Sequence, residues 1–521
     1  MKQVIIVGGG FAGWYTAAVL NKHTNWNITV LESQAHPRLG VGETLGWSAP
    51  YDWSRLLGLQ DDVELMNCTG STYKYGLTAT NFYSDNSTYS YGKFFNLKAS
   101  SLVRFYSEFT YPEYYEPWSK TPSDIGLQQA WMYINRYTNK NFDDYIAELN
   151  EANYFIASNT VPYTSNNEYA LRTQEGWSYH IDAENFIYFL KSKCNDKVQL
   201  LDREVLDVEL KNNNIQHLVT RKGPITGDLF IDCSGFNRVL VKHIKEMQLT
   251  DYDMPTTDSA WVCPTRYTNP QTEIYGGTQI FGEDWGWRFR VNLYHRAGNG
   301  CVFNSTQTDP EVVKNFIEDY TNNKQIVPAK LIQWRPQYVK KSWVGNCLAL
   351  GISSYFTDPF DAPTFDVHSR NLEDIIQGVS PTEFNNSHAL VIKERKYRLL
   401  FNFSTSKRSG KYWDQQRSMF DEKPWLDIMH NRLQDIDSRH QHNWYQMYYR
   451  MCMASNYDRS KIDLKLQIDT PTQEMIEAFF AYNKARNQFI TNQTWPNLYE
   501  WHKEHRFFGQ DHNQVLERMM K

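Results

Sequence analysis

The stretch from Gln3 to Glu32 constrains this chain more than any later part of it. Val4-Ile5-Ile6-Val7 is an unbroken apolar run, as a strand buried on both faces requires. Gly8-Gly9-Gly10 follows at once, residues 11–22 carry apolar side chains at helical spacing, and Ile28-Thr29-Val30-Leu31 supplies a second strand. A strand, a glycine turn, a helix and another strand, in that order, predict a dinucleotide-binding β-α-β unit. The glycines of Gly8-x-Gly10-x-x-Gly13 differ in what they allow. Gly8 permits the tight turn, Gly10 lets the backbone approach a pyrophosphate, and Gly13 lets helix and strand pack closely. Phe11 and Ala12 open the helix, whose unpaired N–H groups and positive dipole end favour an anion. Glu32, closing the second strand, is placed to accept hydrogen bonds from adenosine ribose hydroxyls. The motif alone serves FAD and NAD equally.

Later segments separate the two. Gly40-Val41-Gly42-Glu43-Thr44 comes soon after Glu32, and a strand over 229–232 ends in Asp232-Cys233-Ser234-Gly235-Phe236. A third strand–turn, Leu350-Gly351-Ile352-Ser353-Ser354, comes later still. Three separated segments converging on one ligand suit an elongated cofactor, FAD, and add Gly42, Glu43, Asp232, Gly235 and Gly351 to its candidate contacts. Between them, Asp182 can cap a helix through Phe186, Phe189 and Leu190, and β-like runs cover 198–201, 205–210 and 215–220. Residues 285–303 read as two strands joined by a turn at 295–300, and the chain becomes mainly helical from about 364. The expected fold is α/β: a Rossmann-like FAD module over 1–400, discontinuous and with substrate-side β-sheet insertions, under a helical C-terminal cap over 401–521.

Composition excludes several other classes. With 54 Lys+Arg against 59 Asp+Glu, a net charge of −5, there is no basic field for nucleic acid. A mean hydropathy of −0.63 and the lack of a long apolar run argue against a membrane-spanning chain. The 7 cysteines are scattered without a C-x-x-C pair, which speaks against a disulfide framework or a cysteine zinc site. His440 and His442 form the only H-x-H pair with metal-ligand spacing, and no acidic cluster completes it, so no metal is expected. Lys2 runs directly into the first strand without a secretory leader, so a reducing, cytoplasmic setting is the default. The 17 Trp, 34 Tyr and 28 Phe exceed what a core needs.

Taken together, the motifs resemble the flavin-dependent halogenases, in particular the tryptophan-halogenase-like group. The marks are Gly8-Gly9-Gly10-Phe11-Ala12-Gly13-Trp14, Gly40-Val41-Gly42-Glu43-Thr44, Tyr179-His180-Ile181-Asp182-Ala183, Phe230-Ile231-Asp232-Cys233-Ser234-Gly235-Phe236, Asp284-Trp285-Gly286-Trp287 and Trp343-Val344-Gly345-Asn346-Cys347-Leu348-Ala349-Leu350-Gly351. The Asn- and Tyr-rich flavour suits a phage-encoded member, which would work in the host cytoplasm. The resemblance implies that a separate flavin reductase supplies reduced FAD, which with O2 and halide yields hypohalous acid for an electron-rich aromatic substrate.

The same resemblance assigns roles to residues. Lys74, in Ser71-Thr72-Tyr73-Lys74-Tyr75-Gly76, occupies the place of the family's essential lysine, which directs the oxidant by hydrogen bonding or as a haloamine. Asp361 aligns with the family's catalytic glutamate, one methylene shorter, while Ala362 and Pro363 replace its Ser-Thr. As a residue in its own right Asp361 equally suits a helix cap. Halide is expected near Gly351, Ser353 and Ser354. Trp285 and Trp287 keep the paired tryptophans that line the flavin side in the family, although two residues apart on a strand they also suit core packing. Phe94, Trp444 and Tyr448 fall where the family builds its substrate walls; Trp444, Tyr448 and Met451 share a helical face and equally suit a core. A histidine of tryptophan-selective members has no counterpart near 91–95, which weakens free tryptophan as substrate. A hydroxylase on the same fold and a flavin-binding protein with lost chemistry are the alternatives, and a homodimer is left open.

Overall fold

The strand β1 (Gln3–Val7), the helix α1 (Phe11–His23) and the strand β2 (Asn27–Glu32) form the β-α-β unit that the sequence sets out. The structure is a computed structural model that describes residues 1–33, 42–46, 49–59, 62–92, 151–161, 178–254, 257–360, 362–434, 488, 490–492 and 494–504. β1 and β2 belong to a six-stranded sheet ordered Trp343–Val344, Cys347–Ala349, Leu229–Asp232, β1, β2, Val198–Asp202. Every pairing is parallel except the edge hairpin Trp343–Val344 with Cys347–Ala349. Residues 13–20 of α1 are all buried, because the sheet covers one side of the helix and the helices Ala183–Ser192 and Pro363–Ile376 cover the rest. That is why α1 is apolar nearly all round.

Polar side chains bolt this layer together. Phe11 stacks on Phe186 at 5.3 Å, Tyr15 shares a 3.0 Å hydrogen bond with Ser369, and Thr16 shares one of 2.9 Å with His368. Burial holds the His368 ring down to about 3, so it is a neutral partner. Asp182 caps the helix Ala183–Ser192 as expected, accepting the N–H groups of Glu184 and Asn185, each at 3.1 Å. Its other oxygen accepts from Arg296 at 2.8 Å and His295 at 3.2 Å. Burial alone would raise the Asp182 carboxyl, but the Arg296 charge and these donors bring it well below the usual carboxylate range.

A seven-stranded sheet forms the second body of the fold, ordered Lys330–Gln333, Ser259–Thr265, Ala297–Phe303, Gly286–Asn292, Gly277–Glu283, Gly76–Thr80, Thr88–Gly92. Its strands are antiparallel except for Gly76–Thr80 beside Gly277–Glu283. The turn expected at 295–300 is shorter: strand Ala297–Phe303 already includes Gly298 and Gly300. Gly300 is a strand residue because Phe289, its cross-strand partner, lays its ring where a side chain would be, 2.2 Å from a Cβ at that site.

The short antiparallel sheet Gly42–Thr44, Ser178–Asp182, Thr72–Lys74 lies between the two bodies in the chain's path. Helix Pro381–Ser404 begins with a capping box, Ser380 and Glu383, and Pro381 in its first turn. Residue 400 lies inside that helix. Phe401, Phe403, Trp413 and Trp425 from the helical layer share one core with Leu77, Trp287 and Phe360. Among the described residues no helix is long and apolar enough to cross a membrane, and no His/Cys/Asp/Glu cluster could hold a metal ion.

Candidate active site

Three glycine turns meet at the carboxyl ends of the parallel strands, where α/β sheets bind their ligands. A Cβ on Gly8 (φ +116°) would stand 2.4 Å from the Cys233 carbonyl oxygen, and one on Gly351 (φ +62°) would stand 2.9 Å from the Ala12 Cβ. Gly13 lies against the Gly8 carbonyl, 1.9 Å from an added Cβ. Gly10 and Gly235 are different: a Cβ on either has no described atom within 4 Å. The first turn of α1 carries no acidic residue and no side-chain cap, so its N–H groups border an open cradle. The Glu32 carboxylate overhangs the cradle, 2.5 Å from where a Gly9 side chain would begin, with the Lys191 ammonium 3.5 Å away. An open, glycine-lined cradle at a helix N-terminus, beside a carboxylate, fits the pyrophosphate and ribose of FAD.

Asp232 holds two of these turns together. Fully buried, its carboxylate accepts the Ser234 N–H (2.9 Å) and O–H (2.6 Å), the Leu240 N–H (2.7 Å), the Val241 N–H (3.1 Å) and the Ser353 O–H (3.0 Å). Ser353 and Ser354, where halide is expected, are buried, and their hydroxyls donate inward: Ser353 to Asp232 and to the Gly235 carbonyl (3.2 Å), Ser354 to the Gly351 carbonyl (2.8 Å). A hydroxyl carries one proton, so in this arrangement neither side chain has one to offer an anion.

Lys74 is buried, 7% exposed, on strand Thr72–Lys74. Its ammonium donates to the Leu45 carbonyl at 2.6 Å, directly after strand Gly42–Thr44. Strand alternation puts Tyr73 on the opposite face, where Trp501 (5.5 Å), His502 (5.9 Å) and Tyr179 (6.4 Å) surround it. Tyr75 in turn meets Phe155, which meets Trp495. On the lysine's side, Ser178 donates to the Gly46 carbonyl at 2.6 Å, and His180 bonds Thr278 at 2.9 Å. Burial first, and the Lys74 charge second, push His180 down to about 3, so its ring stays neutral.

The paired tryptophans part company. Trp287 lies in strand Gly286–Asn292, is buried, and meets Phe360 edge-on at 5.4 Å. Trp285 sits in the hairpin turn before that strand and packs on Phe316 at 5.4 Å, in a different cluster. The strand face that sequence spacing suggests they share does not exist, because the turn takes Trp285 out of the alternation. Asp358, which sequence reasoning missed, is buried beside Trp287 and accepts from Thr257 and from the Phe360 N–H (2.8 Å). Burial raises its carboxyl to about 6 against the pull of these donors and the Trp287 indole. Its sequence signal is its place three residues before Asp361, in Asp358-Pro359-Phe360-Asp361. Asp361, Phe94, Trp444 and Tyr448 lie outside the described residues, as does the Glu43 side chain; the backbone of Gly42 and Glu43 pairs with Asp182 and Ile181. Residues 155, 495 and 501, backing the lysine strand, were also missed; the alternation in Thr72-Tyr73-Lys74-Tyr75 was the signal that something apolar must cover the tyrosines.

The parallel sheet and its converging glycine turns define a Rossmann-like dinucleotide-binding protein. Residues 3–457 match the tryptophan halogenase family, and the chain belongs to that family. It is 26% identical over 370 residues to tryptophan 7-halogenase RebH of Lentzea aerocolonigenes, covering 70% of this chain and 67% of that protein. It is 25% identical over 431 residues to 7-chloro-L-tryptophan 6-halogenase KtzR of Kutzneria sp. (strain 744), covering 79% and 81%. In fold it is similar to the crystal structure of a tryptophan halogenase from Shewanella frigidimarina NCIMB 400, with a TM-score of 0.78 and 19% identity over 97% of both chains. Membership makes the chain a flavin-dependent halogenase, an oxidoreductase that uses FAD reduced by a separate flavin reductase, and halide.

Proposed function

We propose that this halogenase delivers hypohalous acid to an electron-rich aromatic carbon through Lys74. When bound, reduced FAD supplies with O2 the oxidising power that converts halide to hypohalous acid. Gly10 and the first N–H groups of α1 hold its pyrophosphate, with Gly13 letting the helix pack against the turn, Glu32 holds its ribose, and the turns at Gly235 and Gly351 border the rest. The backbone of turn 351–354 receives the halide, since the serine hydroxyls there donate inward. Lys74 holds the oxidant by an N–H donor and aims it, and the seat on Leu45 together with the aromatic backing of Tyr73 limits its motion. Substitution then balances as aryl C–H plus HOX giving aryl C–X plus water. The ring proton leaves to a carboxylate, and Asp361 is the group in place by sequence.

The observation that carries this reading is a lysine buried to 7% exposure on a strand edge next to the 42–46 segment, where an ordinary lysine would be solvated. The relatives' names make tryptophan the first substrate to test, followed by indoles and phenols. Purified protein with FAD, flavin reductase and chloride or bromide should give a mono-halogenated product by mass spectrometry. Hydroxylated product without halogenated product would overturn the reading in favour of a monooxygenase.

A further inference from the structure

The segment that leads into Asp361 is a strained, tightly pinned turn. Ala362 sits at φ 45° in the left-handed region, which a residue with a Cβ adopts only when its surroundings enforce it. Its N–H bonds the Pro359 carbonyl at 3.3 Å, and the Thr357 carbonyl accepts from the Trp334 indole at 3.1 Å. Phe360 is wedged between Phe82 (5.2 Å, stacked), Phe403 (5.4 Å) and Trp287 (5.4 Å, edge-on). At the centre stands Asp358, 1% exposed, closing the turn on itself by accepting the Phe360 N–H at 2.8 Å.

Groups from three other segments face that carboxylate. Thr257, just before strand Ser259–Thr265, donates its hydroxyl. Trp287, from strand Gly286–Asn292, is turned to it closely enough to favour its charged form, although the contact falls short of a well-formed hydrogen bond and the indole N–H has no other acceptor among the described residues. Tyr412, from helix Lys411–Ser418, is buried with its hydroxyl unpartnered among the described residues, and the Asp358 charge adds to burial in keeping that phenol protonated. No cation pairs with Asp358 among the described residues. The carboxylate thus accepts from its own turn and from the segment before strand Ser259–Thr265, and it faces Trp287 from the tryptophan hairpin and Tyr412 from the helical layer.

We propose that Asp358 is a positioning residue for halogenation, whose ionised carboxylate holds residues 357–360 against Trp287, the segment from which the chain runs on into Asp361. This rests on the reading that the 358–361 segment serves the halogenation site. Protonation turns one of the two oxygens, the one that accepts from Thr257, into a donor among donors, while the other can still accept the Phe360 N–H that closes the turn. Activity therefore follows one proton on Asp358, whose carboxyl burial raises to about 6.

The test is a pH profile of single-turnover halogenation with pre-reduced FAD, so that the reductase does not contribute. Wild type should show a one-proton acid limb between about pH 5 and 7. Asp358→Asn, close in size and still able to close the turn, should fold and bind FAD, lose about tenfold in rate, and lose that limb. Thr257→Val removes one donor to the carboxylate, so its limb should move up by about half to one pH unit. A merely structural role would lower stability in both variants and leave the limb where it was. A limb unmoved in both, or absent from wild type, overturns the inference. Asp361→Ala with full halogenation would instead overturn the reading of the site, and the two failures are distinguishable.

Discussion

Alanine at Gly13 and alanine at Gly10, in separate variants, should split folding from cofactor binding. At Gly13 a Cβ would stand 1.9 Å from the Gly8 carbonyl oxygen and 3.0 Å from its carbon. An ordinary C···O contact needs about 3.3–3.6 Å, so α1 would have to withdraw from the turn by more than about 1 Å. Overpacking against backbone costs about 1–3 kcal/mol, which should lower the Tm of the cofactor-free protein by roughly 1–3 °C in a chain of 521 residues. At Gly10 the backbone, φ −79° and ψ −170°, suits any residue, and a Cβ meets no described atom within 4 Å. Alanine is the poorer N-cap by about 1 kcal/mol, and its smaller unfolded-chain entropy offsets about 0.4–1 kcal/mol. The cofactor-free Gly10→Ala protein should therefore melt within about 0.5 °C of wild type. Its methyl group, however, occupies the space a pyrophosphate would enter, and FAD affinity should fall about 10–100-fold, equivalent to about 1.4–2.7 kcal/mol. Thermal melts without FAD and flavin-fluorescence titrations decide the matter. Gly10→Ala binding FAD like wild type, or Gly13→Ala melting like wild type, would refute the cradle as drawn.

Other outcomes follow from the same geometry. Lys74→Ala should bind FAD within about twofold of wild type and form no halogenated product, since the role proposed for the lysine is toward the oxidant and not the cofactor; mass spectrometry of the product mixture reads this. Asp232→Asn keeps the shape but cannot accept five donors, so it should lose about 3 kcal/mol in a denaturant titration and weaken FAD binding, because it holds two of the turns. Burial keeps His180 and His368 down to about 3 and His388 to about 4, so these rings stay neutral in the native state. Their stabilising contribution is complete above about pH 6.5 and is lost as pH falls through those lowered values. At pH near 5 each would take up a proton on unfolding, while Asp358, raised to about 6 and protonated when folded, would release one. The net uptake of about two protons predicts a stability loss of about 3 kcal/mol per pH unit there, measurable by melts across pH and by calorimetry in two buffers. A flat profile between about pH 4.5 and 6 would contradict it.

Much of the fold was legible because its signals are local. Val4-Ile5-Ile6-Val7, the glycine spacing and Asp182 ahead of an amphipathic run each act within a few residues, and each appears in the structure as read. The Gly300 region was misread for the opposite reason: what makes it strand is the Phe289 ring on the neighbouring strand, invisible to any local pattern. The paired tryptophans were separated by a hairpin whose turn position depends on register between Gly277–Glu283 and Gly286–Asn292.

By itself the sequence determined a dinucleotide-type β-α-β unit, the likeness to halogenases, and the lysine to examine. The unit follows from residue types at fixed spacing, which chain geometry turns directly into a turn, a helix start and a strand; the lysine follows from the resemblance. Only the tertiary structure decided what the carboxylates and hydroxyls do. Asp232 and Ser353 read as ligand contacts but are joined to each other across 121 positions, and Asp358, unremarkable in the chain, becomes a buried acceptor for groups from distant elements. A polar side chain's role depends on which partners remain once water is excluded, and those partners are brought together by packing.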